Sequence, residues 1–585
     1  MRRAAVLVPF LWIAGCGSST PPQPFSDLLE EFVHTVLSFS PAMATAAGYH
    51  VHNGIPLDDQ LDSFSPESLG RQRQFYRSIL DRLADAEKRG GLDVQDLADA
   101  ELIRDFAALQ QLELDVLQRH KHDPTLYVEL AGAALFNPLV LEYAPLEKRF
   151  QHINLRLRQF PRLFGEARAN LTDAPELSLR VAIQENDGNR DLLVRTLAQA
   201  VPVSERGAYQ RASAEALRAI DSFTEYLQTE LSRKRSDFRL GKANYGLKFA
   251  AALGTGLAPE QVLAEAESEL ERTRARMHEL ALATYAQSFP GRTPPQDRDA
   301  LTRQVLDKIA SRHATPATYF DDARRDLEEA RSFVRQKGFV ALPPNDNLKV
   351  IPTPEFMRGV YSVGGFNAAP PLEPKLGAFY WLTPIPDTWE PARAESKLRE
   401  YNFHGLKILT IHEAIPGHYL QFEYANTVEP PRRRLLRALF GNGPYVEGWA
   451  VYATELMIEH GFQAGDPGFA LTFHKQMLRV ISNTILDIRL HTKGMTGEQA
   501  MDLMLNKTFQ EKEEAEGKLQ RAMLSSAQLP TYFVGWREWK RIREEERRRL
   551  GEDFREAGFH HAALGAGAVT MSSLRRILAA PAAPK

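Results

Sequence analysis

The chain has 585 residues, of which 43% are hydrophobic and 25% charged, with a formal net charge of −3. This is the composition of an ordinary globular chain, and the length calls for one large domain or two lobes around more than one small core. Lys and Arg are spread along the sequence and leave no electrostatic footprint for nucleic acid, while the single cysteine allows no internal disulfide.

Residues 1–15 have a signal-peptide layout: Arg2 and Arg3, an apolar run from Ala4 to Ile13, then small residues leading to Cys16. The run is too short to be a stable membrane span. Ile-Ala-Gly-Cys resembles a bacterial lipobox, which predicts that Cys16 is lipidated and that residues 16–24 form a flexible tether. No later apolar run is long enough to cross a bilayer. The expected product is an exported cell-envelope lipoprotein attached to the membrane by its N-terminal lipid alone. Gly17, where an Asp often signals inner-membrane retention in some bacteria, leans the assignment toward the outer membrane. The sequence assigns no oligomeric state.

Beyond the tether, apolar residues recur at three- and four-residue intervals over 27–38, 98–119, 205–233, 260–285 and 319–336, which predicts helices there. From Val340 to Pro391 the habit changes: ten prolines interrupt short strand-like pieces, NLKVI and GAFYWL. The predicted fold is mainly α, a large two-lobed helical body with a small edge β-sheet near residues 340–391. An N-terminal helical lobe is expected over 25–240, a catalytic helical lobe over 241–575, and a disordered tail over 576–585.

The residues that carry chemistry begin at 412, in HEAIPGHYLQ. A zinc-binding helix places two histidines four apart with a Glu beside the first. Here His412 and His418 are six apart, roughly 120° around an ideal helix, with Pro416 and Gly417 between them. Pro416 removes a backbone donor and clashes with the carbonyl of residue 412, so the helix must be disturbed at that point. If two of residues 414–417 bulge outward, the spacing returns to four and both rings can face one ion. A third ligand is needed, with a position left open. In NGPYVEGWAVYATELMIEHG, Glu447 lies near the helix start and is the preferred ligand, with Glu455 a candidate outer partner.

The segments HEAIPGHYLQ, EGWAVYATEL, LDIRLHTKGMTGEQA and AQLPTYFVG, with SPAMATAAGYHVHNGIPLDDQLDSFSPE upstream, resemble in order the signature segments of the domain-of-unknown-function 885 family. That family is similar to a branch of the gluzincin metallopeptidases, largely helical, with a HExxxGH motif. The resemblance implies one zinc ion held by His412, His418 and Glu447, with Glu413 as catalytic base. The chain departs from the family pattern at Arg489, where Gly is usual, and at Ser526–Ala527, where Pro-Gly is usual. Both positions bear on the cleft rather than on the metal.

Five further residues are candidates. Asp487 and His491 are four apart on a helix and share a face, so the Asp can orient an imidazole that donates to an oxyanion. Tyr532, with Gln528 nearby in sequence, is a second oxyanion donor. Tyr380 in GAFYWL is a candidate for an edge strand that pairs with extended substrate backbone. The expected activity is zinc-dependent hydrolysis of short peptides, exo- and endo-cleavage being undistinguished. A metal-binding envelope protein without activity, and a zinc hydrolase of a non-peptide amide or ester, remain as alternatives.

Overall fold

A computed structural model describes residues 23–254, 256–343, 347–358 and 363–580; the signal segment and Cys16 lie outside the described residues. Among those residues no helix is long and apolar enough to cross a membrane.

The chain is mainly α-helical. Among the predicted helices, α1 spans Phe25–Phe39, and α2 runs over Val94–Gln111 before a wider π-type turn at Leu112–Leu117. The later expectations correspond to Arg206–Thr229, Pro259–Ser288 and Tyr319–Lys337. Phe32 of α1 and Ile103 of α2 share one large apolar core with Ile411, Trp449, Ile485 and Trp539. The amino-terminal helices are thus built into the packing that supports the downstream motifs. A second core gathers Tyr127 of α3 (Thr125–Val140) with Phe150, Phe164 and Phe223.

A three-stranded sheet joins the two cores. Strand β1 (Leu348–Pro352) runs parallel to β3 (Ala378–Leu382), and β2 (Gly364–Asn367) runs antiparallel to it, giving the order β1-β3-β2. GAFYWL therefore forms the middle strand, and the edge assignment of Tyr380 is corrected. The physical reason is that five consecutive apolar residues without polar alternation belong to a strand covered on both faces. Phe379 and Trp381 point into the second core, while Tyr380 and Leu382 face a third, smaller cluster with Tyr401 and Leu406. Tyr380 is fully buried, and its hydroxyl lies 3.3 Å from Thr410 Oγ1. It ties the sheet to the motif helix and cannot meet a substrate backbone.

The predicted disordered tail also needs correction at its start. Helix α10 (Met571–Ala579) runs into it, capped by Thr570 and docked through Leu574. Arg575 Nη2 reaches Glu538 at 2.6 Å, and Arg576 Nη2 reaches Glu101 at 2.5 Å. Residues 581–585 lie outside the described residues.

Candidate metal centre and catalytic cleft

Helix α4 (Phe403–Glu413) starts at Asn402, whose side chain accepts from the amides of His404 and Gly405. It ends at Glu413, and α5 begins at His418 and runs to Ala425. The expected bulge within one helix is therefore a full break between two helices. Ala414 leaves helical geometry at φ −115°, ψ −95°, and the Ile415–Pro416 bond is cis. The Gly417 amide then bonds back to the Ile411 carbonyl at 3.0 Å, six residues upstream, and this brings the chain to its starting face.

The return is tight enough to require glycine. A Cβ at Gly417 would stand 1.9 Å from the His412 carbonyl oxygen. The connection is also gripped from outside: Trp449 Nε1 donates to the Pro416 carbonyl at 2.8 Å, with the Gly417 carbonyl at 3.2 Å. Sequence reasoning passed over this Trp, although it stands two residues from Glu447 in EGWA. Replacing it with Phe removes the donor but keeps most of the apolar packing. Trp449→Phe is expected to weaken zinc binding about tenfold, the lower end of the effect of losing a group that orients a ligand. Competition with a chromogenic chelator measures this, and unchanged affinity would remove the indole from the account.

Glu447 comes from α6 (Gly443–Glu459), which Asn442 caps with Pro444 in the first turn. Helix α6 crosses α9 (Pro530–Leu550) at Gly448 and Gly535, where a Cβ on Gly448 would lie 2.3 Å from the Gly535 carbonyl carbon. This backbone-to-backbone contact brings Glu447 of one helix and Tyr532 of the other into one small space.

One ligand atom from each of His412, His418 and Glu447 lies within 4.8 Å of the other two. Glu447 Oε2 stands 3.3 Å from His418 Nε2 and 3.8 Å from His412 Nε2. Donors about 2.0–2.1 Å from a tetrahedral zinc are about 3.3 Å apart, so the spacing suits that ion. Glu447 Oε2 is buried and receives no aligned hydrogen bond, so its lone pairs suit a cation. Burial, with His418 alongside, pushes the His412 imidazole down to about 3, so it is neutral and able to ligate. Burial alone would raise the Glu447 carboxyl, but contact with His418 outweighs it and holds the group down at about 2. The same contact overrides burial at His418 and raises its pKa. The donor set fits zinc.

His412 lines a cleft of about 430 Å³ together with Glu413 and Tyr532, and the His418 and Glu447 ligand atoms converge on it from behind that wall. Burial raises the Glu413 carboxyl to about 7. The Tyr532 ring stacks near His412 at 6.2 Å, and its hydroxyl accepts from Arg521 Nη2 at 3.0 Å. Gln528 donates to Glu447 Oε1 at 3.4 Å and accepts from Arg521 at 3.1 Å, so it steadies the carboxylate. At the sheet, the edge strand beside the cleft is β2, where Val363 and Gly364 line the wall.

Three candidates stand elsewhere. His491, on α7 (Pro467–Thr492), is 2% exposed, stacks on Tyr245, and its Nε2 bonds the Ser525 carbonyl at 2.9 Å. It lies away from the cleft lining, and its Nδ1 has no partner, so Asp487 does not orient it. Asp487 instead accepts from the Ala527 amide at 3.1 Å and the Leu529 amide at 3.2 Å. Both residues therefore shape the loop that carries Gln528. Glu455 is also displaced from the site: it binds Trp536 Nε1 at 2.7 Å and Lys540 Nζ at 2.8 Å, clamping α6 to α9 two turns beyond Glu447.

The fold and site define a large helical protein with a two-His, one-Glu metal constellation and a carboxylate next to it. The model of DUF885, bacterial proteins of unknown function, matches residues 41–578, and the chain belongs to that family. A "putative lipoprotein of unknown function" from Shewanella oneidensis shares 30% identity and superposes with a TM-score of 0.78, over 95% of this chain and 100% of that one. A "putative lipoprotein" from Colwellia psychrerythraea has the same fold at 20% identity and TM-score 0.77, over 95% of this chain and 98% of that one. An M32 carboxypeptidase from Deinococcus radiodurans R1 aligns at 11% identity and TM-score 0.42 over 95% of each chain, a likeness too slight to argue from. No curated protein matches the chain.

Proposed function

We propose that the protein is a zinc-dependent peptidase of short peptides, anchored to the bacterial cell envelope through a lipid on Cys16. The observation that carries the reading is the convergence of His412, His418 and Glu447 at the edge of a cleft that His412 and Glu413 line. A binding or structural zinc site has no use for a desolvated carboxylate next to an open position. The lipid anchor is supported by the lipobox-like Ile-Ala-Gly-Cys and by the description of both structural relatives as lipoproteins.

His412, His418 and Glu447 would hold the ion, whose contribution when bound is to polarise a carbonyl and acidify water. Glu413 takes the proton of the attacking water and later hands it to the leaving amine, a task suited to a carboxyl with a pKa near neutrality. The carbonyl oxygen gains negative charge as the tetrahedral centre forms. Tyr532, stacked near His412, is the group we assign to donate to that oxygen, and the hydrogen bond that its phenol oxygen accepts from Arg521 supports the role. Gln528 keeps the Glu447 carboxylate in place throughout.

The test uses the protein from Gly17 onward, loaded with one equivalent of zinc and incubated with a mixed-length peptide library. Mass spectrometry is expected to find defined cleavage products that disappear when a chelator strips the metal and return when zinc is restored. A protein that binds one zinc and leaves the library intact would overturn the peptidase reading.

A further inference from the structure

The cleft holds a cation, Lys518, that the reading above leaves without a task, and it bears on what the substrate presents; the inference rests on that reading. Helix α8 (Lys512–Leu524) lays Glu514, Lys518 and Arg521 along the cleft wall, four and three residues apart and so on one helix face. Glu514 is engaged by Arg479 of α7, whose Nη1 also bonds the Tyr401 hydroxyl at 2.6 Å. Arg521 reaches the catalytic groups directly through Tyr532 and Gln528.

Lys518 differs from its neighbours. It is 4% exposed and lines the cleft, and its ammonium makes no hydrogen bond or ion pair among the described residues. The charges of Arg479 and Arg521 act against its ammonium more strongly than those of Glu514 and Glu447 favour it. A buried ammonium beside two guanidinium groups is unfavourable unless an anion completes the set. Burial accordingly holds its pKa well below the usual lysine value, and a carboxylate in contact would restore it.

The position of the lysine identifies the anion. Lys518 lies about one helical turn, ~5 Å, from Arg521, which touches the oxyanion donor Tyr532. One residue of extended chain spans ~3.3–3.6 Å. A row of cations that starts at the reacting carbonyl and ends about one residue further on matches a carboxylate one residue beyond the bond that is cut. In a peptide that carboxylate is the C-terminus of the last residue. Phe473, Met477 and Val480 line the same cleft and offer apolar surface for that residue's side chain.

We propose that Lys518, with Arg521 beside it, binds the C-terminal carboxylate of the peptide, so that the protein removes residues singly from the C-terminal end. Each turnover adds one water across the last peptide bond: its oxygen and one proton complete the new carboxylic acid of the shortened peptide, and the other proton goes to the amine of the released amino acid.

Binding tests this without turnover. The zinc-loaded Glu413→Gln protein is titrated calorimetrically with one tetrapeptide as its free acid, as its C-terminal amide, and as an amide ending in Asp. The free acid is expected to bind about 10- to 100-fold more tightly than the plain amide, as for a hydrogen-bonded charge pair. Lys518→Met in the same background is expected to erase that preference, and Lys518→Arg to keep part of it. Equal binding of acid and amide overturns the inference with no Lys518 substitution needed, and so does an Asp-ended amide that binds as tightly as the acid. A preference that survives Lys518→Met in a folded protein overturns it as well. Should the wild type cut interior bonds of acid and amide alike, the peptidase reading stands and the C-terminal inference falls. Should it cut nothing while Lys518 still selects the free acid, the carboxylate site at Lys518 stands, and the peptidase reading falls together with the C-terminal cleavage drawn from it.

Discussion

Glu413→Gln is expected to lower peptide hydrolysis by about 10²- to 10⁴-fold, the range a positioned general acid–base group supplies. The substitution keeps the side-chain volume and both polar atoms, so the helix end at residue 413 keeps its shape. It removes a carboxylate whose charge burial already disfavours, so folding is not weakened. Glu413 is not one of the three converging ligands, and zinc stoichiometry should stay at one. The informative result is thus a split between readouts: full metal, unchanged thermal midpoint and lost turnover. A variant that keeps more than a tenth of the wild-type rate would remove Glu413 as the base. A variant that loses zinc together with activity would show that residue 413 acts through the metal site and not on the water.

How far the sequence discloses this site depends on the range of the interactions that build it. His412, His418 and Pro416 lie in one short segment, and a six-residue spacing with a proline inside it already demands a backbone disturbance. The form of the disturbance is decided elsewhere. The indole of Trp449 holds the Pro416 and Gly417 carbonyls from 33 and 32 residues away, and no local pattern distinguishes a bulge from a break. His491 and Asp487 show the same limit. Their spacing places them on one helix face, but periodicity does not say what that face meets. It meets the backbone at Ser525, Ala527 and Leu529, whose position follows from the packing of α7 against α9. Tyr380 is a different case, since the unbroken apolar run AFYWL carried the signal of a strand covered on both faces. Lys518 and Arg521 gave no such signal: KEEAEGKLQRAML reads as a solvated helix, and only the neighbouring helices turn its charged face into a cleft wall.

Gly417→Ala is expected to abolish high-affinity zinc binding and to lower stability by ~1–3 kcal/mol, the range for atoms forced into a well-packed site. The added methyl would lie 1.9 Å from the His412 carbonyl oxygen and 2.4 Å from that of Ile411. Both obstacles are backbone atoms of α4, so no side chain can rotate away to make room. Relief requires a movement of roughly 1 Å between the end of α4 and the start of α5. Those two ends carry His412 and His418, and ligand positions must hold to about ±0.2 Å for zinc. The hydrogen bond from the Gly417 amide to the Ile411 carbonyl, 3.0 Å long, would be strained by the same movement. Loss of the metal should therefore exceed what the loss of folding stability predicts. Gly70→Ala supplies the control, because a Cβ there meets nothing within 4 Å and the residue sits in the helix Pro66–Arg89. It should leave zinc affinity unchanged and raise stability slightly, as replacing a compatible glycine does. Zinc affinity and thermal midpoint measured on the three proteins decide the matter. A Gly417→Ala protein that binds zinc as tightly as wild type would mean that the two histidines do not depend on the tight return between α4 and α5. The metal centre would then have to be assembled by α6 alone pressing Glu447 onto rings that are free to adjust.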